Sequence, residues 1–293
     1  MTALTDAAVR HLKDVVAWPE FTSDRYVAIE EIGRGGMGTV YAARDTALER
    51  DVAVKIGNAL PDAELQARLT GEARVIAQLE HPGIVPVHDY GLLADGRPFY
   101  VMKRVHGRSL QALLEARPAA AELLRIFERV CEAVSFAHAR GVIHRDLKPS
   151  NVMVGAFGEV MVTDWTVAAA AGTVLGTRGF MAPEQEAGLD TVDARADVYS
   201  LGAMLRAVLG DDAPRPLRSI CGRATERETG RRYESVEALA ADVRRYRDSE
   251  AVHAHCENVF ERAARFGRKY QLPILLVLAY IVMRAVIALL AGV

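Results

Sequence analysis

Between Val142 and Val154 the sequence VIHRDLKPSNVMV sets His144, Arg145, Asp146, Lys148 and Asn151 between two apolar runs. These residue types at this spacing suit phosphoryl transfer. That reaction asks a protein for a positioned nucleophile and for neutralised charge on the transferred group, more than for covalent chemistry. Asp146 can accept a hydroxyl proton, Lys148 can sit against a terminal phosphate, and the Asn151 side-chain oxygen can hold a divalent ion. The flanking apolar residues would pin the loop to a core and so aim its polar groups in advance. The bland alternative is a charged surface loop between two short strands. Agreement with H-R-D-L-K-P-x-N at every fixed position argues against it.

Three further stretches could serve the same chemistry. Gly33-Arg34-Gly35-Gly36-Met37-Gly38 lies between the β-type runs YVAIEEIG and TVYAARD. A G-x-G-x-x-G run alone is weak, because it also serves the dinucleotide-binding turn. That turn needs a helix directly after the glycines, whereas Thr39-Val40-Tyr41 is β-branched and aromatic. The glycines therefore belong to a hairpin whose backbone N–H groups can approach a phosphate chain, with no Cβ in the way. Lys55 closes the alternating run Val52-Ala53-Val54-Lys55 and can pair with phosphate oxygens. A lysine so placed needs an anion. Glu72, on a helix expected from Asp62 to Leu79, is the candidate, with Glu64 a competitor too near the helix start. Asp164 closes the run Glu159-Val160-Met161-Val162-Thr163 and could hold Mg²⁺ as a hard oxygen ligand; an isolated Asp at a strand end would be a cap.

The elements that must position these residues follow from periodicity. Residues 1–25 form an N-terminal extension with a short helix, ended by Pro19. His81-Pro82-Gly83 breaks the Glu72 helix, and strands from Ile84 to Tyr90 and Phe99 to Val105 flank the Asp95-Gly96 turn. Met102 to Val105 then connects two lobes, where backbone groups could read an adenine edge while Val40, Ala53 and Met153 sandwich the ring. Helices at Ser109–Glu115 and Ala119–Arg140 lead into the 142–154 stretch.

Composition places bounds on the rest. The chain has 293 residues, 51% hydrophobic and 25% charged, which suits a globular protein of one large domain or two lobes. A formal net charge of −2 gives no reason to expect nucleic acid as a partner. Cys131, Cys221 and Cys256 are scattered and odd in number, so reduced thiols in a cytosolic compartment fit best. The start lacks the apolar core of a signal peptide. Near the end, LPILLVLAYIVMRAVIALLAGV (272–293) carries one charge, Arg284, in 22 residues, about the length that crosses a bilayer core. Arg262, Arg265, Arg268 and Lys269 precede it, which keeps the N-terminal side cytoplasmic by the positive-inside rule. The expectation is a basic juxtamembrane segment at 250–271 and a single-pass anchor at 272–293 in the cell membrane. Otherwise the apolar stretch is a buried core helix or a helix that pairs two copies as a homodimer.

With these residues in order, the chain from 26 to 249 resembles the eukaryotic-like Ser/Thr protein kinases of bacteria. The matching positions are Gly33, Gly35, Gly38, Lys55, Glu72, His144-Arg145-Asp146, Lys148, Asn151, Asp164, Ala182-Pro183-Glu184, Asp197 and Arg232. The resemblance implies an α+β, two-lobed fold with a small β-rich lobe and a larger helical lobe. It also implies ATP and Mg²⁺ in the cleft, and protein substrates phosphorylated on Ser or Thr. It makes Asp146 and Lys148 catalytic and Asn151 and Asp164 metal ligands. It sets ATP against Ile32, Gly33, Gly35, Gly36, Gly38, Val40, Ala53, Lys55, Glu72, Met102, Val105 and Met153. Arg232 would pair with Glu184, and Thr177 would bridge Asp146 and Lys148.

Three departures stand out. The usual D-F-G reads Asp164-Trp165-Thr166, exchanging a glycine for Thr166. The span from Asp164 to Glu184 is short and alanine-rich (168–171); Thr173 within it is the candidate for an activating phosphate opposite Arg145. Between Leu209 and Leu217 only GDDAPRP remains where the family carries a docking helix, so substrate choice does not carry over. No extracellular sensor is expected after the apolar stretch. Two rivals stay beside the kinase reading: an ATP-binding pseudokinase scaffold at the membrane, and a small-molecule phosphotransferase, which would lack the Ala182-Pro183-Glu184 segment that is present.

Overall fold

The computed structural model describes residues 18–35, 38–57, 63–165, 176–188, 192–210 and 212–290. The expected N-terminal helix within 1–17, Gly36, Thr166, the alanines at 168–171 and Thr173 lie outside them.

Strands β1 (Tyr26–Arg34), β2 (Gly38–Asp45), β3 (Arg50–Gly57), β4 (Val87–Leu92) and β5 (Pro98–Lys103) form an antiparallel sheet in the order β1-β2-β3-β5-β4. The two-residue period of a strand sends Val52, Val54 and Ile56 into a small core with Tyr26, Tyr41, Phe99 and Val101. Ala53 and Lys55 are left for the opposite face. Register completes the placement: Val40, Lys55 and Tyr100 lie directly across from one another, as do Ala42, Ala53 and Met102. Helix α1 (Ala63–Ala77) covers that face and carries Glu72.

The larger lobe holds α2 (Leu110–Glu115), α3 (Ala120–His138), α4 (Pro183–Glu186), α5 (Arg195–Leu209), α6 (Arg215–Ala224) and α7 (Val236–Arg247). On α3, Leu123, Phe127, Val130 and Val134 are buried at helical spacing and form the centre of the main core. A three-stranded sheet, β6 (Gly107–Ser109), β7 (Val152–Gly155) and β8 (Val160–Val162), sits at the lobe junction. The 142–152 stretch runs from the end of α3 to β7, so both of its anchors belong to packed elements.

Boundaries moved where capping or pairing decides them. Ser109 is a cap rather than the first turn of α2, its hydroxyl accepting the Ala112 N–H. Ile84 pairs not as a strand but as a single bridge to Val162. The short 209–217 link is closed by Gly210 at φ 67° and by Pro214 at the cap of α6. Gly202 lets α5 approach α6, since a Cβ there would fall 2.5 Å from the Ala224 Cβ.

Two helices follow the lobe, α8 (Val259–Lys269) and α9 (Gln271–Leu290). Among the described residues no single helix is long and apolar enough to cross a membrane. Val259–Gly267 and Gln271–Ile287 meet that test together, bent by 73° at the break between them. The expected span 272–293 runs past the described side chains, which end at Ile287. All described α9 side chains are exposed, so the helix is not buried in this chain's own core.

Candidate active site

The Lys55 side chain, 7% exposed, donates from Nζ to Glu72 Oε1 and to Asp164 Oδ1, each at 2.8 Å. Tyr100, across the sheet from Lys55, donates its hydroxyl to the same Glu72 oxygen at 2.8 Å. Burial disfavours the Lys55 ammonium, but the surrounding negative groups outweigh it and hold its pKa above the ordinary value. For Asp164, burial is likewise overcome by Lys55, and its pKa is lowered. Glu72 is raised by burial despite Lys55, and its Oε2 is buried with no partner among the described residues.

The 142–154 loop is held from beneath by Asp197 on α5. This fully buried carboxylate accepts the backbone N–H of His144 at 2.8 Å and of Arg145 at 2.9 Å, and the His138 Nε2–H at 2.7 Å. His144 is itself buried; its Nε2–H donates to the Thr163 carbonyl at 2.9 Å while Nδ1 accepts from the Asp146 N–H at 3.3 Å. That arrangement is a neutral imidazole, and burial lowers its pKa. Its ring packs 4.7 Å from Trp165, which is 1% exposed. The tryptophan of Asp-Trp-Thr is therefore a core side chain.

Above this support three polar groups close on each other. Lys148 Nζ donates to Asp146 Oδ2 at 2.8 Å and to Thr177 Oγ1 at 2.7 Å, and the Thr177 hydroxyl donates to Asp146 Oδ1 at 2.9 Å. Asn151 Nδ2 donates to the Asp146 carbonyl at 2.9 Å, which turns its Oδ1 away from that carbonyl. Arg145 and Asp164 sit in left-handed backbone, at φ 68° and 57°, a conformation that costs on the order of 1–3 kcal/mol per non-glycine residue. Gln185 helps hold the first, donating from Nε2 to the Arg145 carbonyl at 2.9 Å. The Arg145 guanidinium makes no ion pair among the described residues. Further from the cleft, Arg232 and Glu184 form a buried bidentate pair at 2.6 and 2.7 Å.

A cleft of about 530 Å³ lies between the lobes, lined by Ile32, Gly33, Val40, Ala53, Met102, Val105, Met153 and Asp164. Sequence reasoning did not single out Val85, His106, Ser150 and Thr163, which also line it; nothing in their types marks them, and only the fold brings them there. Beyond β5 the backbone groups of Arg104 and Val105 make no hydrogen bond among the described residues, so this edge of the cleft offers polar atoms to a planar ligand. The glycines divide in two. A Cβ at Gly38 would fall 2.1 Å from the Ile56 carbonyl, so the sheet itself requires that glycine. At Gly33 and Gly35 the nearest atoms would be 3.9 and 4.0 Å away. Among the described residues the packing leaves room there, and a molecule lying against the hairpin would account for their small size.

A divalent ion fits the donor set in one specific way. Among the described residues no cluster of three His, Cys, Asp or Glu side chains could hold a metal alone. Asn151 and Asp164 are suited to Mg²⁺, which takes one or two protein oxygens together with phosphate oxygens and water.

Residues 26–253 match the protein kinase domain family. The chain is 39% identical over 213 residues to serine/threonine-protein kinase PknB of Mycobacterium tuberculosis, covering 67% of this chain and 34% of that protein. It is 35% identical over 235 residues to serine/threonine-protein kinase PknD of Chlamydia trachomatis, covering 63% of this chain and 24% of that protein. The chain thus spans about a third or less of the length of these curated relatives. With the family match extending over well more than half of its residues, the chain belongs to the protein kinase family.

Proposed function

We propose that this protein is an ATP-dependent serine/threonine protein kinase, with a catalytic domain at 26–249. A juxtamembrane segment at 250–271 would lead to an apolar helix that anchors it in the membrane, with the catalytic domain on the cytoplasmic side. The observation that carries the catalytic reading is the closed triangle of Asp146, Lys148 and Thr177 beside a cleft lined by Asp164, whose carboxylate is bonded to the Lys55–Glu72 pair. Asp146 orients an incoming Ser or Thr hydroxyl and takes its proton as the oxygen bonds to the γ-phosphorus and the bond to ADP breaks. Lys148 offsets charge on the transferring group, and Thr177 keeps Asp146 and Lys148 in register. Lys55, fixed by Glu72, holds the phosphate chain of ATP. Asn151 and Asp164 would hold Mg²⁺, which would supply positive charge to offset that of the phosphate groups. The exposed apolar side chains of α9, from Leu272 to Ile287, support the anchor.

Incubation with γ-labelled ATP and Mg²⁺, followed by phosphoamino-acid analysis, tests this reading. Label on serine or threonine is expected. Label confined to tyrosine would refute the specificity, and absence of label with ATP bound would leave a scaffold.

A further inference from the structure

Helix α8 has the reverse of the orientation that a helix docked on a soluble domain adopts. Its sequence VFERAARFGRK places Val259, Ala263 and Phe266 on one side and Glu261, Arg265 and Lys269 on the other. A docked helix would bury the first set. Here Val259, Phe260 and Phe266 are 81%, 85% and 58% exposed, and the charged side faces the 250–257 segment that precedes the helix, with one ion pair to α6. Arg265 Nε donates to Glu257 at 2.7 and 3.0 Å, and Lys269 Nζ to Glu250 at 3.3 Å. Glu261 pairs with His255 at 3.2 Å and with Arg215 of α6 at 3.5 Å. A capping box with Asn258 fixes where the helix starts. The 250–257 segment, itself tied to the domain through Asp242 and Ser219, therefore holds α8 by its polar side and leaves its aromatic side outward.

A bend of 73° separates α8 from α9. If α9 stands along the bilayer normal, α8 lies within roughly 20° of the membrane plane. A strongly amphipathic helix with Phe on one face and Arg and Lys on the other is the form that settles at a lipid headgroup layer. Arg262, exposed beside the apolar face, supplies positive charge where an anionic leaflet would attract it.

We propose that α8 lies in the headgroup layer of an anionic bilayer with Val259, Phe260 and Phe266 inserted, so that the catalytic domain is held in one orientation over the membrane. The proposal rests on the membrane anchoring proposed above and adds that the domain does not swing on a free tether.

The test uses the full chain with Cys256→Ser and Phe260→Cys, labelled at position 260 with a polarity-sensitive fluorophore; Cys131 and Cys221 are buried. The chain is reconstituted in phosphatidylcholine vesicles with or without phosphatidylserine, floated on a density gradient, and probed with brominated lipid and aqueous iodide. Flotation is expected in both lipids, with position 260 quenched severalfold more by brominated lipid than by iodide, and most strongly with phosphatidylserine. Flotation with position 260 open to iodide would overturn the seating of α8 and leave the anchor standing. Failure to float would remove the anchor and this proposal with it. Position 260 shielded from both quenchers, with chains cross-linking to each other, would assign the face to a second copy and refute the lipid contact.

Discussion

Asp197 accepts the backbone N–H groups of both His144, at 2.8 Å, and Arg145, at 2.9 Å, from a fully buried position on α5. One carboxylate thus sets the backbone of the segment that aims Asp146. Burial alone would raise its pKa, but the bond from His138 and the neighbouring donors prevail and lower it. Asp197→Ala would leave two N–H groups buried without acceptors, costing on the order of 2–4 kcal/mol. Chemical denaturation of wild type and variant measures this, and an unchanged midpoint would mean that water or a rearranged side chain replaces the carboxylate.

The two kinds of glycine predict two outcomes. Gly38→Ala sets a Cβ against the Ile56 carbonyl and should lower the melting temperature by several degrees through loss of β2–β3 pairing. Gly35→Ala meets no atom closer than 4.0 Å among the described residues beyond its chain neighbours; it should leave the melting temperature within a degree or so and raise KM for ATP about tenfold. Equal effects of the two on stability would contradict the division.

Glu72 is bound by both Lys55 and Tyr100. Glu72→Gln retains an acceptor oxygen for both donors, whereas Glu72→Ala leaves the Lys55 ammonium with Asp164 alone. The alanine variant should lower kcat/KM for ATP by about 10–100-fold, near 1.4–2.8 kcal/mol, and the glutamine variant by less. Steady-state kinetics at varied ATP checks the order; an equal loss for glutamine would show that charge, not acceptor geometry, is what Lys55 requires.

Much of this site could be read from residue order because it is local. The hairpin follows from a β-branched residue after the glycines, and the Lys55–Glu72 contact from a strand lysine followed by a helix with one acid on its inner turn. What could not be read depends on distant segments meeting. Asp197 supports a loop more than 50 residues earlier, and its bonds go to backbone N–H groups that no side-chain pattern reveals. The outward face of α8 was equally hidden, since VFERAARFGRK reads as amphipathic without saying which side the domain takes.

Stability should fall as pH drops from about 7 towards 5. Burial lowers the pKa of His144, and His81 and His88 shift the same way. In that window the unfolded chain, with histidine pKa near 6.5, binds protons that the folded chain does not, so unfolding is favoured as pH falls. His144→Phe removes one such group and should flatten the slope of denaturation midpoint against pH. An unaltered slope would show that His144 is not held neutral.

The most direct test of the account is single-turnover transfer from γ-labelled ATP with Mg²⁺, comparing wild type with Asp146→Asn, alongside ATP affinity by titration. Asparagine keeps the size of the side chain but is a far weaker proton acceptor. Transfer is expected to fall by at least about 10²–10⁴-fold while the Kd for ATP changes by less than about threefold. Transfer retained in Asp146→Asn would contradict the assignment of Asp146 as the proton acceptor, and with it the mechanism built on its bonds to Lys148 and Thr177.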